Sequence, residues 1–481
     1  MSEQADTDGA ADEDRPLEPL GDLTGAWQLF VDDRLILERV GITRRYHAFE
    51  KYAGNPLIVA DEPWEGKMVY VFGSVLPEED GTGFRMWYND YPNMTQSGDE
   101  RYRTLYATSQ DGMQWLKPDL GIRSWQGSTA NNILFPRAEG SCLASVIHTP
   151  WDPDPQRRYK VLNYVQDSKS YFAAWSPDGI HMSDVPGNPV LSLGIDVGQF
   201  TWDPHTQRYL GYVKLRQEVD GKERRCVALT TTTDITSWPD PEIILTPDGF
   251  DDRWANPNQC THLYGMSAFP YESMYLGFLW IFRATDEDDC NHEGPVFVEL
   301  VSSRDGVAWK REEGDRPPLV DLGPPGAWDD SQVYTARKPL LVGDELWLYY
   351  GGCDEEHGVN LEEKDCSIGL AKLRKDGFVS LDAGESPAQI TTPTLSQTGG
   401  SLHVNYSATG GHLEVELLDG DGQVIPQYDR VACDPLTGDE VDRIVAWGGR
   451  TALPAGPLRL RFIMQNASLY SFMAGKDLAL P

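Results

Sequence analysis

An all-β chain, a five-bladed β-propeller followed by a β-sandwich, is predicted by three observations. First, a turn motif returns in five copies: Ser109-Gln110-Asp111-Gly112 ending at Trp115, Ser176-Pro177-Asp178-Gly179, Thr233-Asp234 ending at Trp238, Ser303-Arg304-Asp305-Gly306 ending at Trp309, and Lys375-Asp376-Gly377-Phe378. The aspartates are spaced by 67, 56, 71 and 71 residues. Second, each copy follows an apolar or alternating segment of strand character, and Asp-Gly supplies the tight turn that ends a hairpin. Third, the rhythm changes after residue 378, where Pro387 and Pro393 stand among Thr and Ser. Five repeated units suit radial repetition around a central funnel.

The elements follow in order. Residues 1–20 are acidic and lack a basic-then-apolar leader pattern, so they read as a disordered tail. The propeller is assigned to 21–387, with an opening strand in 27–37 and the first full blade from about Lys67. Its strands are 68–76, 84–88 and 102–106, rich in aromatic and β-branched residues. The second blade uses 143–147, 159–164 and 171–175, and the third 199–202, 209–213 and 225–229. Trp151-Asp152-Pro153 and Trp202-Asp203-Pro204 hold matching places in these two blades, each shortly before Arg-Tyr. The fourth blade uses 264–269, 274–282 and 296–300, and the fifth 332–334, 346–350 and 368–371. Alternating segments at 401–406, 412–417, 443–447 and 458–463 form the sandwich, assigned to 388–481.

Composition narrows the function classes. The 481 residues carry a formal charge of -34 with no cluster of Lys and Arg, which disfavours nucleic acid and anionic lipid as partners. No uninterrupted apolar segment is long enough to span a bilayer. Seven cysteines without metal-like pairing, and no leader, point to reduced thiols and a cytoplasmic protein. The sequence leaves the oligomeric state open.

With its repeated turns, Phe30-Val31-Asp32-Asp33 near the start and 368–377 near the propeller's end, the chain resembles the five-bladed glycoside hydrolase superfamily over about 22–481. The likeness is to a divergent branch of the invertase and fructanase-like proteins that carry a C-terminal β-sandwich. Their Trp-Met-Asn-Asp-Pro-Asn motif is absent, and Met86-Trp87-Tyr88-Asn89-Asp90 resembles it only in a middle strand. The resemblance implies a glycan or glycoside substrate, and fructan cleavage is not inherited with the fold.

Cleaving a glycosidic bond takes a proton donor and a second carboxylate that attacks or activates water. Residues at the start of each inner strand converge in a propeller, which singles out Asp196 as nucleophile or general base and Asp330 as its substitute or a hydroxyl-orienting group. Glu272, between the first two strands of the fourth blade, is the expected general acid. The plain alternative for all three is a carboxylate serving a turn. Trp64, Glu65, His148, Trp202, Arg283, Gln332 and His357 make up the expected substrate-binding set, with core packing the alternative for Trp64. No cofactor is required and no metal ligand set is assigned. Calcium would suit the oxygen-rich loops 286–289 and 354–356, for which solvated acidic surface is the plainer reading. The alternatives to a hydrolase are a transglycosylase of related chemistry and a noncatalytic carbohydrate-binding protein.

Overall fold

The computed structural model describes residues 20–22, 25–91, 102–135, 141–286, 290–312, 316–360, 363–397 and 399–475; the expected acidic tail lies almost wholly outside them. Among the described residues helix is confined to two 3-10 turns, Asp33–Leu35 and Pro155–Arg157, and no helix is long and apolar enough to cross a membrane. The chain divides into two compact units, 46–378 and 1–45 with 379–481.

The larger unit is built of five antiparallel meanders in chain order. The inner strands are Met68–Tyr70 with Val75–Pro77, Ser141–His148, Gly198–Asp203, Cys260–Tyr271, and Gln332–Thr335 with Leu340–Val342. Each pairs with the next strand of its own meander. Single parallel pairings join the fourth meander to the fifth (Val296↔Gln332) and the fifth back to the first (Cys366↔Met68), so the series closes into a ring. The outermost strand of the fifth blade is Glu50–Lys51, which precedes the first blade in sequence and pairs with Cys366–Arg374.

On the axis, Arg337 of the fifth blade donates to Thr201 Oγ1 (2.9 Å), Ser74 Oγ (3.3 Å) and the Val146 carbonyl (3.4 Å). One buried guanidinium thereby touches the first, second and third blades, and burial pushes its pKa down to about 10.

Four of the five repeated turns latch their blade to the one before it. In three copies the Ser hydroxyl accepts from the Gly N–H while the Asp carboxylate accepts from the two N–H groups beyond that Gly. The glycines need their freedom here, with φ of 74°, 79° and 75° at Gly112, Gly179 and Gly306. Gly112 O accepts from Tyr349 of the fifth blade, Gly179 O from Trp87 of the first, and Gly306 O from Tyr212 of the third. In the fifth blade Asp376 accepts from Tyr271 of the fourth. The motif is therefore an inter-blade fastening as well as a hairpin turn.

The smaller unit is one sheet wrapped over its own core. Its long strand Ser401–Asp419 pairs first with Ala467–Gly475 and then with Gly456–Gln465, bending at Gly410 (φ 86°). Phe462 and Phe472 meet inside at 5.7 Å, with Phe30, Leu402 and Trp447 in the same core. Leu20–Asp22, Gln28–Leu29 and Glu38–Val40 belong here, paired with Leu395–Gln397, Ala467–Gly475 and Ala388–Thr391. Residues 21–45 thus join the second unit instead of the propeller to which the sequence reading assigned them, and the units part at 378/379 instead of 387/388. Alternation identifies a strand but not the sheet it joins.

The expectation of reduced thiols is also corrected. Cys260–Cys290 and Cys353–Cys366 are disulfide-bonded, with Cα atoms 5.9 and 4.2 Å apart, while Cys142, Cys226 and Cys433 are free and buried.

Candidate active site

A cavity of about 420 Å³ opens at one end of the ring axis. Every blade contributes to it from the start of its inner strand or just before: Tyr70 and Phe72, Cys142, Asp196, Tyr264, and Gln332 with Tyr334. Period-2 alternation puts Gln332 and Tyr334, two apart, on one face of their strand, while Phe72 follows the end of the strand Met68–Tyr70 and packs against Tyr70 at 5.0 Å. Phe72 and Tyr334 meet at 4.7 Å, Tyr264 and Tyr334 at 5.8 Å. Burial raises Tyr70, Tyr102, Tyr164, Tyr264 and Tyr334 above the ordinary phenol value. They remain hydrogen-bond donors with flat apolar faces.

Asp196 is the carboxylate of this lining among the described residues. Its Oδ1 lies 2.7 Å from the Lys214 ammonium, which sits 4.2 Å from the centre of the Tyr264 ring. Lys214 is 4% exposed, whereas the Asp196 side chain keeps 39% of its surface open to the cavity. Burial opposes the charge on Asp196, but Lys214 and Arg225 outweigh it and hold the carboxyl below its usual range. The next residue, Val197, has φ 61° and is buried. A β-branched residue in the left-handed region is strained, and strain of this kind gathers where a side chain must be aimed.

His357 enters from the loop after the fifth blade's middle strand. Its Nδ1 faces the His292 carbonyl at 2.6 Å and its Nε2 faces the Tyr264 hydroxyl at 3.2 Å. The carbonyl can only accept, so the proton is on Nδ1 and Nε2 accepts from the phenol. Burial pushes the imidazole down to about 3, leaving it neutral at pH 7. Gln332 is fixed by donating to the Glu355 carbonyl at 2.5 Å and accepting from Tyr334 at 2.6 Å. Lys364 lines the cavity while 4% exposed, and burial pushes its ammonium down to about 8.

Of the ten residues singled out from the sequence, the cavity gathers Asp196, Gln332 and His357. Glu272 sits in the hairpin at the other end of Cys260–Tyr271, with φ 50°. At about 3.3 Å per residue it is roughly 25 Å along the strand from Tyr264, beyond the span of about 5–9.5 Å that a glycosidase pair needs. His148 and Trp202 end their inner strands and are likewise carried roughly 20 Å from the cavity end. His148 stacks on Tyr159, and Trp202 meets Trp151 at 5.6 Å.

Asp330 closes its own turn, accepting from Gly326 N at 2.6 Å and Ser331 Oγ at 2.8 Å. Glu65 accepts from Tyr88, Lys117 and two backbone N–H groups. Trp64 donates to Asn132, and Arg283 lies over Trp254 and Phe297. These four serve packing and turns outside the lining.

Asp286 accepts from the N–H groups of Asn291, His292 and Glu293, and Asp354 from that of Asp365; 287–289 lie outside the described residues. Cys260, His262 and Cys290 cluster with ligand-type atoms within 4.8 Å of one another. The two sulfurs are bonded to each other, and His262 accepts from Arg225 N and faces the Cys290 carbonyl, so its ring nitrogens are both engaged.

No protein-family model matches the chain, and no curated protein does. Among solved structures, it is similar to an N-acetylgalactosamine deacetylase from F. plautii, at 14% identity and TM-score 0.44, covering 70% of this chain and 97% of that one. It is also similar to a family 43 arabinoxylan arabinofuranohydrolase from Bacillus subtilis (13%, TM-score 0.41, 89% and 99%). A fructofuranosidase from Schwanniomyces occidentalis gives 13%, TM-score 0.42, and coverage of 89% and 98%.

Proposed function

We propose that the protein cleaves a glycosidic bond in the axial cavity, with Asp196 as the base or nucleophile. One observation carries this reading: an ionised carboxylate, aimed by strained backbone, faces a tyrosine-rich cavity to which all five blades contribute. The phenol faces suit sugar rings and the hydroxyls suit their oxygens. The paired-carboxylate scheme is reduced to one carboxylate in the described lining. The leaving oxygen would then take its proton from water or from a lining O–H or N–H group.

That solitary carboxylate also favours a second reading, a noncatalytic carbohydrate-binding protein. A labelled panel of glycans and aryl glycosides, with every product resolved by mass, separates the two. Wild-type cleavage that falls by about 10²–10⁴-fold in Asp196→Asn supports the enzyme. Cleavage that survives moves the chemistry elsewhere, and selective binding without cleavage by either protein selects the second reading.

A further inference from the structure

The cavity's charge is opposite to that of the chain. Against a formal net charge of -34, it gathers Lys169 and Lys364, with Lys214 and Arg225 along its Asp196 side. Asp196 neutralises Lys214 at 2.7 Å. Arg225, 5% exposed, lies against the rings of Tyr264 and Phe282 and leaves Nε and Nη1 without hydrogen-bond partners among the described residues. Among the described residues Lys364 makes no hydrogen bond or ion pair, although it is 4% exposed and lines the cavity. Its acidic neighbours Glu355, Asp354 and Glu356 act on it only at longer range. Burying an ammonium without a partner is unfavourable, and an oxyanion entering the cavity would supply that partner.

We infer that the cavity takes an anionic glycan, whose carboxylate or sulfate is held by Lys364 with Lys169 at the mouth. This rests on the glycan reading above and names the substrate class for the same site. The tyrosine faces bind the sugar ring and the unpaired ammonium selects its acidic substituent. A free oxyanion such as inorganic phosphate carries the same chemistry without the sugar, so the test separates these sources.

The experiment is calorimetric binding to the full chain of oligogalacturonides, of the same oligosaccharides reduced at their carboxyl groups, and of inorganic phosphate. Wild type, Lys364→Met and Lys364→Arg are compared, with thermal unfolding to establish that each is folded. The expected result is that the acidic oligosaccharide binds about ten- to a hundred-fold tighter than its reduced form. Lys364→Met abolishes that preference and Lys364→Arg keeps much of it. Equal binding of acidic and reduced forms overturns the anionic class while leaving the glycan reading intact. A preference that survives in Lys364→Met overturns the role of Lys364. Phosphate bound through Lys364 with no discrimination between the glycans overturns the glycan-borne anion in favour of a free one. Binding of neither oligosaccharide overturns this inference and removes support from the glycan reading with it.

Discussion

Val197 and Gly265 occupy one space: a Cβ added at Gly265 would fall 2.6 Å from Val197 Cγ1 and 2.8 Å from Trp280 Cε3. The bare backbone of the fourth blade therefore makes room for the strained residue that aims Asp196. Gly265→Ala is expected to cost about 1–3 kcal/mol through overpacking. Turnover should fall further than the fraction unfolded explains, because the displaced neighbour is next to Asp196. Chemical unfolding and turnover measured on the same preparation check this, and unchanged values in both would detach Gly265 from the site.

The Asp196–Lys214 contact predicts an asymmetric pair of variants. Asp196→Asn leaves a buried ammonium without its carboxylate. Because Asp196 is partly open to the cavity, the expected cost is about 1–3 kcal/mol instead of the larger loss for a sealed pair. Adding Lys214→Met should recover part of that stability but none of the activity. A double-mutant cycle in urea reads the coupling.

Affinity for an acidic oligosaccharide should decline as pH rises through about 8, the value to which burial brings Lys364. Above it the amine is neutral and attracts no anion. Glu355, Asp354 and Glu356 favour its charge, and neighbouring His357, near 3, stays neutral across this window. Titration calorimetry between pH 7 and 9 should show the decline in wild type and a flat profile in Lys364→Met.

The inter-blade fastening is open to a simple test at the ring's closure. Tyr349→Phe removes the hydrogen bond to Gly112 O and should cost about 1 kcal/mol. Gly112→Ala should cost more, since φ is 74° and the new Cβ would lie 2.6 Å from the Tyr349 hydroxyl. Urea midpoints measure both.

Cys353–Cys366 closes the loop that carries His357 and Lys364. Replacing both cysteines by serine should lower stability by about 2–4 kcal/mol. It should also weaken ligand binding more than replacing the free Cys433 of the smaller unit does. Equal effects on binding would show that the bond does not shape the cavity.

Much of the fold was legible because its signals are local. Asp-Gly turns and alternating aromatic segments mark the blades, and the position of Asp196 before an inner strand placed it at the axis. Glu272, His148 and Trp202 lie outside the cavity lining because each stands at the far end of a strand, and sequence proximity to an inner strand does not say which mouth of the ring a residue faces. The tyrosine lining was missed for a different reason: Tyr70, Tyr264 and Tyr334 sit in ordinary strand patterns, and only their convergence from three blades marks them. Cys260 and Cys290 are 30 residues apart, with no spacing that announces a bond. Strands 20–22, 28–29 and 38–40 were recognisable as extended chain, but their partners lie more than three hundred residues away.

That last distance bears on how the protein is made. Glu50–Lys51 completes the fifth blade by pairing with Cys366–Arg374, and the strands up to Val40 pair with segments after 387. A ribosome therefore releases the earliest strands long before their partners exist. Neither unit can complete its hydrogen-bonded edges until synthesis is nearly finished, so contacts of such high sequence separation form late and slowly. Premature termination near residue 360 would leave the first blade without its Cys366 pairing and the Glu50–Lys51 edge exposed to intermolecular strand addition.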